Sequence, residues 1–242
     1  MKTTLALLFL GATGALSFGF VNADEARAHR AARDSASAAE AAPLDDGDFS
    51  PDEDELMKHA KVFARSNETR AAWLKGGIEK LTTLRDEIKD NKPPSNAAVL
   101  KAVKSWLHLV ASQPSGDRDP TVAELDLLIG RFEKNGASTA TVTFAPAACP
   151  FTPACGDNDF ACTLDQQVHL QQKWFDSSVT CQDSSLTHEY FHAIGLHDIA
   201  PTDKVKCNDS ANLTVTQALG APDCLAGLAC ELEKGSGCST PC

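Results

Sequence analysis

Along the chain, apolar residues first recur every three or four positions: Leu56, Val62 and Phe63, then Trp73, Leu74, Ile78, Leu81 and Leu84. That period buries one face of a helix. Its start signal is Ser50-Pro51-Asp52-Glu53, a capping serine followed by proline and two acids in the first turn. "KPPSNAAVLKAVKSWLHLVA" predicts a second helix after a proline break. "DPTVAELDLLIGRFEKNG" predicts a third, with Asp119 as cap, Pro120 in the first turn and Gly136 at the end. At Thr141 the period changes. Thr141, Val142, Thr143 and Phe144 alternate as a strand does, and turn residues and cysteines follow. Two more helical stretches close the chain, from about Asp183 to Leu196 and from about Pro222 to Glu233. Helices, then a small disulfide-pinned β region, then helices predict one α+β domain over 51–242.

The ends change the picture. "MKTTLALLFLGATGALSFGFVNA" reads as a secretory signal peptide over 1–23: a lysine, a glycine-broken apolar run and a small-residue exit at Ala23. Residues 24–50 are rich in Ala, Asp, Glu, Ser and Arg, too polar to bury a core, and are expected to be a mobile segment or propeptide. All nine cysteines lie between Cys149 and Cys242. In an exported chain that predicts disulfides, at most four within the chain and one thiol left over. Sequons at Asn67, Asn208 and Asn212 fit the same route. A net charge of −11 excludes a basic nucleic-acid surface. The expectation is a secreted, extracellular monomer acting on a protein or peptide, with neither a membrane nor a nucleic acid as partner.

The chemistry concentrates in "LTHEYFHAIGLHDIAPTD", Leu186 to Asp203. His188 and His192 are four residues apart, which stacks two imidazoles on one helix face within reach of a single ion. Glu189 adjoins the first, turned away from ligation but close to a fourth coordination position. There it can take a proton from a water whose pKa zinc lowers to about 7. An exposed pair of histidines is the plainer possibility. However, Leu186, Phe191, Ile194 and Leu196 make this helix apolar, so its histidines need partners. Three residues compete as third ligand: Asp203, Asp198 and His197. Asp198 has a second possible role, accepting the outer N–H of a ligating histidine. His169, flanked by Val168 and Leu170, reads as a structural strand histidine, and Trp174 and Phe175 as core.

Asp198, six residues after His192 with Gly195 between, resembles the aspartate-bearing metzincins. Those proteases need a methionine beneath the metal, and here both methionines, Met1 and Met57, lie upstream. Asp203 resembles the third ligand of the deuterolysin family, the aspzincins, which are secreted fungal zinc proteases with an aspartate in a Gly-Thr-x-Asp segment after the HExxH helix. "VTCQDSSLTHEYFHAIG" is similar to that family's approach to the helix. "TQALGAPDCLAGLACEL" is similar to its terminal helix, where an Ala-Asp-x-Tyr-Ala-type segment packs behind the site. The resemblance runs from Cys181 to Leu232 and implies a zincin-like domain with His188, His192 and Asp203 on Zn2+ and Glu189 as catalytic base. Departures are visible. Ala200-Pro201-Thr202-Asp203 stands for Gly-Thr-x-Asp, and Lys206-Cys207 stands where the family has the Tyr-Gly whose tyrosine supports the oxyanion. The lone tyrosine, Tyr190, is inside the motif, leaving Lys206 or His197 as donors. The expected function is therefore a secreted zinc metalloendopeptidase. The competing one is a non-catalytic effector or binding protein on a degenerate protease scaffold. A disulfide from Cys207 to Cys181, Cys224 or Cys230 is expected to pin the third-ligand loop, the alternative being that Cys207 is the one unpaired thiol.

Overall fold

A computed structural model describes residues 53–145, 160–164, 166–198, 207 and 213–238. The expected signal peptide, the 24–50 segment, the Ser50 cap, Asp203, Lys206, Asn208 and Asn212 lie outside the described residues.

The first helical pattern forms one helix, α1 (Glu53–Lys89). Its buried residues Phe63, Ser66, Arg70, Trp73, Leu74, Leu81 and Leu84 keep the three-and-four spacing throughout. Two adjacent glycines leave it unbroken. Gly77 is where Phe132 presses in, since a Cβ there would sit 2.8 Å from that ring. Asn67, in a sequon, lies inside α1, with its amide oxygen accepting from Arg70 Nε at 3.0 Å. Helix α2 (Ala97–Trp106) is capped by Asn96, whose side chain accepts from the Ala98 and Val99 amides. Helix α3 (Val122–Gly136) is capped by Thr121, not Asp119. Thr121 and Glu124 form a reciprocal capping box, which satisfies two free ends at once where Asp119 would satisfy one.

Strands β1 (Thr141–Ala145), β2 (Ala161–Leu164) and β3 (Gln167–Gln171) form a sheet ordered β1-β3-β2. β1 runs parallel to β3, and β2 runs antiparallel to it. His169 sits on the central strand, with Thr143 Oγ1 2.5 Å from its Nδ1. A short helix, α4 (Gln172–Phe175), carries Trp174 fully into the core.

Helix α5 (Val179–Ala193) carries the histidines, and α6 (Val215–Gly220) and α7 (Pro222–Lys234) follow. Two cores meet on α5. Its Phe191 joins the helical core of Trp73, Trp106, Phe132 and Leu225, while Leu186, Tyr190 and Ala193 join Val142, Val168, Leu170 and Trp174 under the sheet. At 100° per residue, this leaves a third face for His188 and His192. Buried polar bonds hold α5 in register. Ser66 donates to Asp183 at 2.6 Å, and Asn135 Nδ2 donates to the Thr187 carbonyl at 3.2 Å. Arg70 spans the Asn135 side chain and carbonyl, both at 2.7 Å, and covers the Tyr190 ring at 3.7 Å.

Cys207 is bridged to Cys224, and Cys230 to Cys238. The first of these is one of the three pairings expected for Cys207. Cys162 on β2 and Cys181 on α5 are also disulfide-bonded. Among the described residues, no helix is long and apolar enough to cross a membrane.

Candidate metal centre

Helix α5 starts at the Ser178 cap, whose hydroxyl accepts from the Cys181 amide, and ends at Ala193, two residues before Gly195. Gly195 adopts φ +88, a left-handed turn that an L side chain resists. The turn folds the chain back so that the Leu196 amide donates to the Phe191 carbonyl, and it brings the Leu196 carbonyl to His192. His192 Nδ1 lies 2.8 Å from that carbonyl oxygen and donates to it, which leaves Nε2 with its lone pair facing inward.

On the same face, His188 Nε2 lies 2.9 Å from His192 Nε2. Two nitrogens on one tetrahedral zinc stand about 3.4 Å apart, so the pair is close to the spacing an ion needs. Asp198 reaches in from beyond the turn, with carboxylate oxygens 3.4 Å from His192 Nε2 and 3.7 Å from His188 Nε2. His188, His192 and Asp198 thus bring three ligand atoms within 4.8 Å of one another. His197 is exposed and stays outside this group.

Behind His188 stands Asp223, in the first turn of α7. Its Oδ1 lies 2.7 Å from His188 Nδ1, off the ring's N–H axis, so the two make a close charge contact. A carboxylate beside Nδ1, with Nε2 turned to the shared face, is the arrangement that orients an imidazole toward an ion. Burial opposes charge on His188, but Asp223, Glu189 and Asp198 together outweigh it and raise its pKa to about 9. For His192 burial again opposes, and Asp198 and Glu189 prevail, so its pKa is also raised. Asp198 is held low, chiefly by its contact with His192. Two rings 2.9 Å apart cannot both carry a proton between them. The pocket therefore attracts positive charge and lacks room for two protons, a balance that one divalent cation meets. Two imidazoles and a carboxylate are also the donor types zinc takes.

Glu189 lies about 100° round the helix from His188, toward the sheet. It is buried, and the Thr163 hydroxyl of β2 donates to its Oε2 at 2.7 Å. Sequence reasoning named His188, Glu189, His192 and Asp198 but neither Thr163 nor Asp223. The signal for Asp223 was present in the terminal-helix segment, where it follows Ala221-Pro222. No sequence signal ties Thr163 to Glu189.

A second cluster, His108, Cys207 and Cys224, also brings its ligand atoms within 4.8 Å. Its two sulfurs are joined to each other, so they are not available as thiolates. Tyr190 is 3% exposed beneath Arg70 and cannot reach the metal face as a donor.

No protein-family model matches the chain, and no curated protein matches it. Among solved structures, the chain is similar to a zinc peptidase from Grifola frondosa. Identity is 14% and the TM-score 0.47, over 71% of this chain and 93% of that one. A likeness this loose does not carry function from one chain to the other.

Proposed function

We propose that this chain is a zinc-dependent peptidase in which His188, His192 and Asp198 hold the metal and Glu189 is the general base. One observation carries the reading: two inward-facing Nε2 atoms 2.9 Å apart, met by a carboxylate at 3.4 and 3.7 Å, with a buried glutamate at the next position. Asp203, the ligand implied by the deuterolysin resemblance, lies outside the described residues. The short distances weigh for Asp198 in its place.

Bound zinc would polarise the carbonyl of a peptide bond and lower the pKa of a water beside it. The residues of the chain do the rest. The Leu196 carbonyl and Asp223 orient the two imidazoles, and Glu189 accepts a proton from the attacking water as its oxygen adds to the carbonyl carbon. Glu189 then returns that proton to the nitrogen as the C–N bond breaks. The secreted setting and an extended peptide as substrate belong to the same proposal.

Buried Tyr190 favours a second reading, a zinc-binding protein without turnover. The chain's one tyrosine is out of reach, and loss of an oxyanion donor costs about 10²–10³ in rate. A proteolysis assay separates the two. The first reading expects cleavage that a chelator abolishes and zinc restores. Zinc-loaded protein that cleaves nothing supports the second. Asp198→Ala is expected to lose zinc and Asp203→Ala to keep it; the reverse would reassign the ligand.

A further inference from the structure

We infer that Thr163 is the positioning residue of this site, and that it determines which oxygen of Glu189 meets the attacking water. The inference rests on the peptidase reading and deepens it. Thr163 lies on β2, an edge strand of the sheet, opposite Val168 of β3. Side chains paired across antiparallel strands share a face, and Val168 belongs to the core between sheet and α5. Thr163 is therefore aimed at α5 by the strand register, not by anything on the helix.

Its hydroxyl lies 2.7 Å from Glu189 Oε2 and 3.0 Å from the Glu189 carbonyl oxygen. A hydroxyl has one proton to donate, and the shorter bond to the charged acceptor is the stronger. The proton is thus committed to Oε2. Glu189 is only 6% exposed, so bulk water does little to hold its carboxylate, which would otherwise turn about its terminal bond. With Oε2 held, Oε1 is left to receive the proton from water. In the addition step a water O–H bond breaks, its hydrogen bonds to Oε1, and the water oxygen bonds to the carbonyl carbon. When the C–N bond breaks, the same proton passes from Oε1 to nitrogen. Thr163 makes and breaks no covalent bond.

Valine at 163 keeps the shape and removes the donor, and serine keeps the donor. The test compares zinc-loaded wild type with T163V, T163S and T163V combined with Glu189→Gln. It uses steady-state cleavage of a quenched-fluorescence peptide and, separately, calorimetric binding of acetohydroxamate, whose hydroxyl needs the same carboxylate. T163V is expected to keep its zinc and lose about 10- to 100-fold in kcat at unchanged KM, a fraction of what a general base supplies. It is also expected to bind acetohydroxamate more weakly. T163S restores both, and T163V adds no loss to Glu189→Gln. Unchanged acetohydroxamate affinity in T163V overturns the Thr163 assignment alone. So does a zinc or folding defect in T163V that serine fails to repair. Zinc-loaded wild type that binds acetohydroxamate but cleaves no peptide overturns the peptidase reading, and with it the role of Thr163 in catalysis.

Discussion

At the scale of single residues, the site depends on groups that never touch an ion. Asp223 contacts the far nitrogen of His188 at 2.7 Å, and removing such an outer partner typically costs about 10- to 100-fold in metal affinity. Asp223→Ala is therefore expected to weaken zinc binding by that factor while leaving the fold intact, which a competition titration with a chromophoric chelator measures. Gly195 is the second such residue. Its φ of +88 lies where an alanine costs about 1–2 kcal/mol, and no neighbour lies within 4 Å of an added Cβ. Gly195→Ala should lower thermal stability by that amount through backbone strain alone. It should also weaken zinc binding, because the turn brings both the Leu196 carbonyl and Asp198 to the histidines. The histidines and Glu189 were legible in the sequence because their chemistry resides in spacing along one helix. Asp223 and Thr163 were not, because each meets α5 across the fold: Asp223 from the start of α7 and Thr163 by its register against β3.

At the scale of elements, α5 is held between two cores, and its register depends on polar clamps more than on its own propensity. Arg70 is the largest of these, binding Asn135 twice and covering Tyr190. Arg70→Met keeps much of the packing but leaves the buried Asn135 Oδ1 without its donor, a cost of about 1–3 kcal/mol readable by urea denaturation. The crossing of α7 over α2 is as tight. A Cβ on Gly227 would overlap the Trp106 ring, so Gly227→Ala must displace a buried tryptophan. Overpacking of that kind costs about 1–3 kcal/mol. The long apolar periods of α1, α2 and α3 made those helices readable in advance. Helix α5 begins at Val179 rather than near Asp183 and ends at Ala193 rather than Leu196. Its first turn is made of Val179, Thr180 and Cys181, which carry no helical period, and Gly195 stops it early. Helix α6 was missed because six residues are too few for periodicity to register. Its Thr214–Gln217 capping box was the available signal.

At the level of the whole molecule, the Cys207–Cys224 bridge ties Cys207, which follows the Gly195 turn in sequence, to the helix that carries Asp223. Both cysteines are buried in the helical core, and Cys224 adjoins Asp223 in sequence. The bridge closes a loop of sequence separation 17, for which chain entropy suggests about 3 kcal/mol. Replacing both cysteines with alanine should lower stability by that order and weaken zinc binding beyond it, because the helix that presents Asp223 loses an anchor. Calorimetric melting with and without zinc measures both effects. The α+β order could be read from the pattern change at Thr141, and the site from the spacing of His188 and His192. The pairing of Cys207 with Cys224 could not, since three partners and an unpaired thiol all fitted the sequence. In the proposed chemistry the proton at a bound zinc is carried by Glu189, which is not itself a ligand. The most direct test is turnover per bound zinc in Glu189→Gln against wild type, with metal content determined on the same samples. The account expects full zinc occupancy and a rate lower by about 10²–10⁴-fold. Full occupancy with a rate near that of wild type would contradict it.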